Sequence, residues 1–132
     1  MIVAAGNGTR MGTDKSKLLL EIGSKTVIER TVETFENMAE IDEIIVVCRE
    51  CDFEEFSRLL PGENISFVFG GATRQQSVKN AVDTIEECDY IIVHDGARPL
   101  VLADTVIRTL DKAQTNQAAA VGVYVKDTVK LV

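Results

Sequence analysis

Ile2-Val3-Ala4-Ala5-Gly6-Asn7-Gly8-Thr9-Arg10-Met11-Gly12 begins as an unbroken apolar run and then dissolves into glycines and a cation. An apolar run with no polar alternation is the pattern of a strand buried on both faces, which belongs to parallel sheets. Four further segments rich in Val, Ile and Ala follow: Glu43 to Cys48, Ile65 to Phe69, Tyr90 to His94 and Ala118 to Val125. Stretches with helical spacing separate them. Ile28, Val32, Phe35 and Ala39 share one face of the first, with Ser24 as its N-cap. Phe53 to Leu60 makes a short second helix that Pro61-Gly62 ends. Thr73 and Gln76 predict a capping box before a helix whose inward stripe is Val78, Ala81, Val82 and Ile85. Asp104 or Thr105 caps a fourth, with Val106, Ile107, Leu110 and Ala113 inward. Alternation of this kind predicts an α/β fold, a doubly wound, mostly parallel sheet with helices on both faces.

At 132 residues the chain is one domain, and no linker, repeat or low-complexity tract divides it. Its 45% apolar and 27% charged residues exclude a disordered or collagen-like chain. The net charge of −7 comes from 14 Lys and Arg against 21 Asp and Glu, without a basic block, so no nucleic-acid partner is expected. The absence of a long apolar run and of an export signal predicts no membrane association and a cytoplasmic location. The sequence stops at Lys130-Leu131-Val132, inside what reads as a further strand. It is therefore expected to be the N-terminal portion, residues 1–132, of a longer domain.

In a doubly wound sheet ligands sit beyond the carboxyl ends of the strands, where strand order reverses, so chemistry is sought in the loops that follow strands. In the first loop Gly6 and Gly8 let backbone N–H groups approach a polyphosphate, Arg10 offers a fork of donors and Lys17 a point charge. Its spacing fits neither the dinucleotide fingerprint, which needs glycine at Met11, nor a phosphate-binding loop that ends in Gly-Lys-Ser/Thr. A glycine-rich turn with solvated cations is the alternative reading.

Gly70-Gly71-Ala72-Thr73-Arg74-Gln75-Gln76-Ser77 places two glycines before a helix N-terminus, with Arg74 and Ser77 one turn apart. A surface arginine and a neutral helical serine would look the same. His94-Asp95-Gly96-Ala97-Arg98-Pro99 sets a carboxylate at the end of a strand, where it is placed to hold Mg²⁺ against phosphates, with Gly96 and Ala97 leaving room for a ligand. Asp95 as a simple turn residue, and a hydrogen-bonded structural role for the lone histidine, His94, are the competing readings. Near the end, Lys126-Asp127-Thr128 offers groups for a second phosphate, or a solvated edge strand.

Cys48-Arg49-Glu50-Cys51 has the spacing of a redox pair, but its acidic neighbours raise thiol pKa values rather than lower them. Three cysteines and one distant histidine also lack the paired spacing of a zinc site. Reduced thiols are expected.

Taken in order, the motifs at 4–12, Lys17, 70–77, 94–99 and 126–128 make the chain resemble the 2-C-methyl-D-erythritol 4-phosphate cytidylyltransferases. The resemblance runs over essentially the whole chain and implies a Rossmann-like nucleotidyltransferase of isoprenoid biosynthesis. It implies that Arg10 and Lys17 are the catalytic cations. Ala4, Ala5, Gly6, Gly8, Gly71, Ala72, Arg74, Ser77 and Gly96 would meet CTP, Asp95 would hold Mg²⁺, and Thr128 and Arg98 would meet the acceptor polyol phosphate. A homodimer is implied for full-length members. Ser16, Leu18 and Tyr124 depart from the residues common in the family at these places. Two alternatives remain open: a ribitol 5-phosphate cytidylyltransferase and a non-catalytic CTP-binding fragment.

Overall fold

The computed structural model of the chain describes residues 1–6 and 16–124. Six strands lie among these residues: β1 Ile2–Val3, β2 Glu21–Ile22, β3 Lys25–Thr26, β4 Ile44–Cys48, β5 Ile65–Phe69 and β6 His94–Asp95. The α-helices are α1 Val27–Glu36, α2 Phe53–Leu59, α3 Arg74–Val82 and α4 Ala103–Asn116. Four strands form a wholly parallel sheet in the order β5-β4-β1-β6. Strand order therefore runs outward from β1 to β4 to β5 and then returns to the other side of β1. The reversal lies between β1 and β6.

The sheet is covered on both faces, as the apolar runs predict. Along β4, Ile44, Val46 and Cys48 join one cluster with Ile28, Val32 and Phe35 of α1, Phe56 of α2 and Val106 of α4. Ile45 and Val47 point the other way, onto Ala81 of α3, with Val68 and Ile85 beside them. This alternation on a fully buried strand is the period-2 geometry of a sheet with helices on both sides. Gln117, in the left-handed conformation at φ 66°, closes α4.

Several expectations are corrected. The cap of α1 is Thr26, not Ser24, because Ser24 sits in the two-residue turn of a β2–β3 hairpin whose Gly23 has φ 70°. Thr26 forms a full capping box with Glu29, Met38 is buried past the helix end, and Ala39 is exposed. Thr73 caps α3 by accepting the Gln76 N–H, but the box is half made, since the Gln76 amide turns to Asn80. Val82 on α3 is exposed. Helix α4 begins a residue before the predicted caps, at Ala103, and Leu102 makes no side-chain cap.

The fourth predicted strand shrinks to His94–Asp95. Ile2 pairs with His94, so Tyr90 and Ile91 run past the first residue of β1 and find no partner strand. Residues 118–124 form no strand either: with no neighbour to pair with among the described residues, Val123 and Tyr124 stand 85% and 96% exposed.

Candidate functional site

The carboxyl ends of β1, β5 and β6 converge at the reversal of strand order. At the end of β1 the Ala4 N–H is tied to the Val47 carbonyl at 2.7 Å and its side chain is buried. Ala5 and Gly6 follow beyond the end of β1, and a Cβ placed on Gly6 would meet nothing within 4 Å among the described residues. Gly70, at the end of β5, packs so close to β1 that a Cβ there would overlap the Cβ of Ala5. Glycine is required at position 70 by this approach.

Ser77 lies behind that loop, 2% exposed. Its hydroxyl accepts the Gly71 N–H at 3.0 Å and donates to the Thr73 carbonyl at 2.9 Å. Ser77 thus shapes the 70–73 turn from inside and consumes the Gly71 N–H, leaving exposed Ala72 and Arg74 as the outward surface of that loop. Ser77, expected to meet the nucleotide, also supports the loop that carries Gly71 and Ala72.

Asp95 is held between two arginines. Arg74, at the first turn of α3, reaches its Oδ1 from Nη2 at 3.0 Å and from Nε at 3.3 Å, and Arg98 meets its Oδ2 from Nε at 3.0 Å. Partial burial pushes the Asp95 carboxyl up, but the Arg74 hydrogen bonds and the charges of both guanidinium groups outweigh it and hold the carboxyl below its ordinary value. The result is an ionised carboxylate with two cations arranged around it, 36% exposed at its side chain.

The turn that carries Asp95 is closed several times over. Arg98 N–H donates to the Asp95 carbonyl, and the His94 ring lies on Phe35 at 5.0 Å. His94 Nε2 is 3.0 Å from the Arg98 carbonyl, which only accepts, so Nε2 carries the proton. His94 is a structural histidine. Gly96 is buried, with its N–H on the Val3 carbonyl and its own carbonyl on the Thr31 hydroxyl. Both its backbone groups are spent inside the chain, so Gly96 is a close-packing glycine rather than an open floor for a ligand.

Lys17 is exposed on a short 3₁₀ turn, Lys17–Leu19, between buried Ser16 and Leu18. The Ser16 hydroxyl caps this turn by accepting the Leu18 N–H, and Leu18 enters the main core. Ser16 and Leu18, two of the three residues at which the sequence departs from the family's common pattern, are therefore the anchors of the lysine. Gly8, Arg10 and Thr128 lie outside the described residues, as do Lys126 and Asp127.

Among the described residues no cluster of three His, Cys, Asp or Glu is spaced to hold a metal. Asp95 would be a single protein carboxylate for Mg²⁺, with lone pairs left over from its arginines. That donor set fits an ion that takes one or two carboxylates and draws its remaining ligands from phosphates and water. At the opposite, amino ends of the strands, a cavity of about 610 Å³ is lined by Ile45, Ile85 and Ile92 but ringed by Glu40, Asp42, Glu43, Glu87 and Asp89. Five carboxylates repel a polyphosphate, which separates that cavity from this site. Cys48 is buried and Cys51 exposed, and Arg49 between them is paired with Asp52 at 2.6 and 2.8 Å. No helix of the described residues is long and apolar enough to cross a membrane.

A parallel doubly wound sheet whose strand order reverses beside β1 defines a Rossmann-like α/β protein. The family model for 2-C-methyl-D-erythritol 4-phosphate cytidylyltransferase matches residues 1–132, and the chain belongs to that family. It is 39% identical to the protein of that name from Clostridium tetani, over 99% of this chain and 55% of the relative. The Bacillus anthracis protein of the same name is 40% identical, over 100% of this chain and 60% of the relative. A crystal structure of 4-diphosphocytidyl-2C-methyl-D-erythritol synthase from Anaerococcus prevotii superposes with a TM-score of 0.86 at 31% identity, covering 99% of this chain and 57% of that one. The chain thus spans about 55–60% of the length of the curated relatives it matches.

Proposed function

We propose that the chain binds CTP at the reversal of strand order and contributes this half of the site to cytidylyl transfer onto 2-C-methyl-D-erythritol 4-phosphate. The observation that carries the reading is Asp95 bracketed by Arg74 and Arg98 beside the Gly70–Gly71 loop, in a chain whose family and curated relatives bear that activity in their names. Those names favour the methylerythritol phosphate acceptor over ribitol 5-phosphate.

In the reaction an oxygen of the acceptor phosphate attacks the α-phosphorus of CTP. The bond to the β-phosphate oxygen breaks, and pyrophosphate leaves with that electron pair, in line with the attack. No covalent intermediate on the protein is needed. Two anions must be brought together, so the residues act by positioning and by stabilising charge on the five-coordinate phosphorus. Lys17 and Arg10 are the proposed catalytic cations. Gly6 and Gly8 give the backbone access to the triphosphate, Ala72 and Arg74 face the nucleotide, and Arg98 and Thr128 serve the acceptor phosphate. Asp95 would hold Mg²⁺ beside the nucleotide, and the ion would supply neutralisation of phosphate charge. A cytoplasmic location and a homodimer of the full-length protein complete the reading.

Calorimetry with CTP and Mg²⁺, followed by a pyrophosphate-release assay with methylerythritol phosphate and ribitol phosphate, tests it. Binding of CTP with turnover of the first acceptor is expected. Binding without turnover limits these residues to the nucleotide half of the reaction, and no CTP binding overturns the site.

A further inference from the structure

We infer that Thr31 of α1 is a positioning residue for the site, holding the Asp95 turn from behind through the Gly96 carbonyl. The inference rests on the proposed nucleotide site for its purpose, but not for its geometry. Thr31 is completely buried, and its hydroxyl is 2.9 Å from two acceptors, the Val27 carbonyl one turn back and the Gly96 carbonyl 65 positions away. A threonine inside a helix ordinarily returns its proton to the carbonyl four residues earlier, which the helix already satisfies. The Gly96 carbonyl meets no other donor among the described residues. The hydroxyl proton is therefore worth most on Gly96, where its loss leaves a buried acceptor unsatisfied.

Its position gives that bond leverage. Gly96 directly follows Asp95, and the next turn of α1 adds a second brace, Phe35 against His94, whose ring holds the Arg98 carbonyl. Helix α1 thus grips both ends of the turn whose outer side presents Asp95 and Arg98. Neither Thr31 nor Phe35 is among the groups that reach Asp95, so their influence on a ligand passes through the turn.

Thr31→Val keeps the shape and removes the hydroxyl; Thr31→Ser restores it. Residue-resolved amide hydrogen exchange on the ligand-free chain and calorimetry with CTP and Mg²⁺ are compared for the three proteins. In Thr31→Val, exchange at Gly96 and Arg98, whose N–H groups are bonded to the Val3 and Asp95 carbonyls, is expected to rise about tenfold or more, while β4 keeps its protection, and CTP affinity to fall about tenfold. Thr31→Ser should stay within about twofold of the parent in both. Unchanged exchange at Gly96 and Arg98 in the valine variant overturns the inference. So does a rise spread evenly through α1 and β4, which marks a core residue only, or a local rise with CTP affinity unaltered. If the parent itself binds no CTP while exchange still rises only at Gly96 and Arg98, the nucleotide reading fails and the brace stands.

Discussion

Arg74 and Asp95, 21 positions apart in the chain, meet at 3.0 Å across the point where strand order reverses. One comes from the first turn of α3, on one face of the sheet, and the other from the tip of β6, so the pair exists only when the helix has crossed back over the sheet. Arg98 completes the bracket from the turn itself. Such a carboxylate holds two guanidinium groups in place, and the proposed site uses them for phosphate oxygens and Asp95 itself for the accompanying cation.

Asp95→Asn separates these roles. The ion pairs are exposed, with side chains 36–73% accessible, so solvent screening limits the stability change to below about 1 kcal/mol in urea unfolding. The effect should fall instead on the metal dependence of binding. In calorimetry the parent is expected to bind CTP more tightly with Mg²⁺ than without, and in the variant that difference should shrink by about tenfold. Equal Mg²⁺ enhancement in both proteins removes Asp95 from the metal side.

Two glycines at the site should respond oppositely to alanine. Gly70→Ala drives a methyl into Ala5 and is expected to lose about 1–3 kcal/mol of stability. Among the described residues nothing stands within 4 Å of a Cβ on Gly6, so the unfolding midpoint of Gly6→Ala should hold to within about 0.5 kcal/mol. Its CTP affinity should nevertheless fall about tenfold, because the methyl stands where the triphosphate approaches the backbone. Unfolding curves and calorimetry on the two variants check the contrast; a stable Gly6→Ala with parental affinity takes the triphosphate away from this loop.

The sheet and both of its faces are legible in the apolar runs, because a strand buried on two sides has no polar positions to confuse the pattern, and β4 and β5 show it best. Tyr90 to Val93 carry the same signal yet pair only at His94, since pairing depends on the register against β1 and not on composition. The β2–β3 hairpin was marked by Gly23-Ser24 between two short pairs of residues, a turn signal too local to compete with the helix that follows. At the site, Arg74, Asp95 and Arg98 stand in loops after strands and could be singled out. Their mutual bracket could not, nor could Thr31, whose hydroxyl lies on the apolar stripe of α1 and finds its partner 65 residues on. The same limit applies to the internal hydrogen bonds of Ser77 and Gly96, which depend on partners that the spacing does not reveal.

The start of α1 gives a pH-dependent prediction. Thr26 and Glu29 exchange hydrogen bonds, and the bonds from the Thr26 side chain and backbone hold the Glu29 carboxyl below its ordinary value of 4.5 against a small opposing effect of burial. A carboxyl depressed in the folded state adds stability that is fully present above its unfolded pKa and is lost as pH falls through the folded one. Thr26→Ala should therefore cost about 1 kcal/mol at pH 7. The gap between parent and variant in urea unfolding should narrow steadily once the pH drops below about 4.5. A gap that stays constant down to pH 3 shows that the cap acts without Glu29.

Thiol labelling tests the end of β4, where the sequence offered a redox-like spacing. A reactive thiolate needs exposure and positive neighbours. Cys48 has neither: burial pushes its thiol up to about 11, the Asp52 charge pushes the same way, and the adjacent Arg49 is paired to Asp52. Cys51 and Cys88 are exposed. With an aromatic disulfide reagent at pH 8, two thiols should react in the native protein and the third only as urea unfolds it, with peptide mapping placing the slow one at Cys48. Because Cys48 is packed in the same cluster as Phe56 and Val32, its protection reports the closure of the main core rather than a property of the thiol alone. Its rate should therefore track global unfolding across a urea series. Fast reaction of all three thiols in buffer, or an oxidised Cys48–Cys51 pair that resists labelling without unfolding, contradicts the packing at the end of this strand.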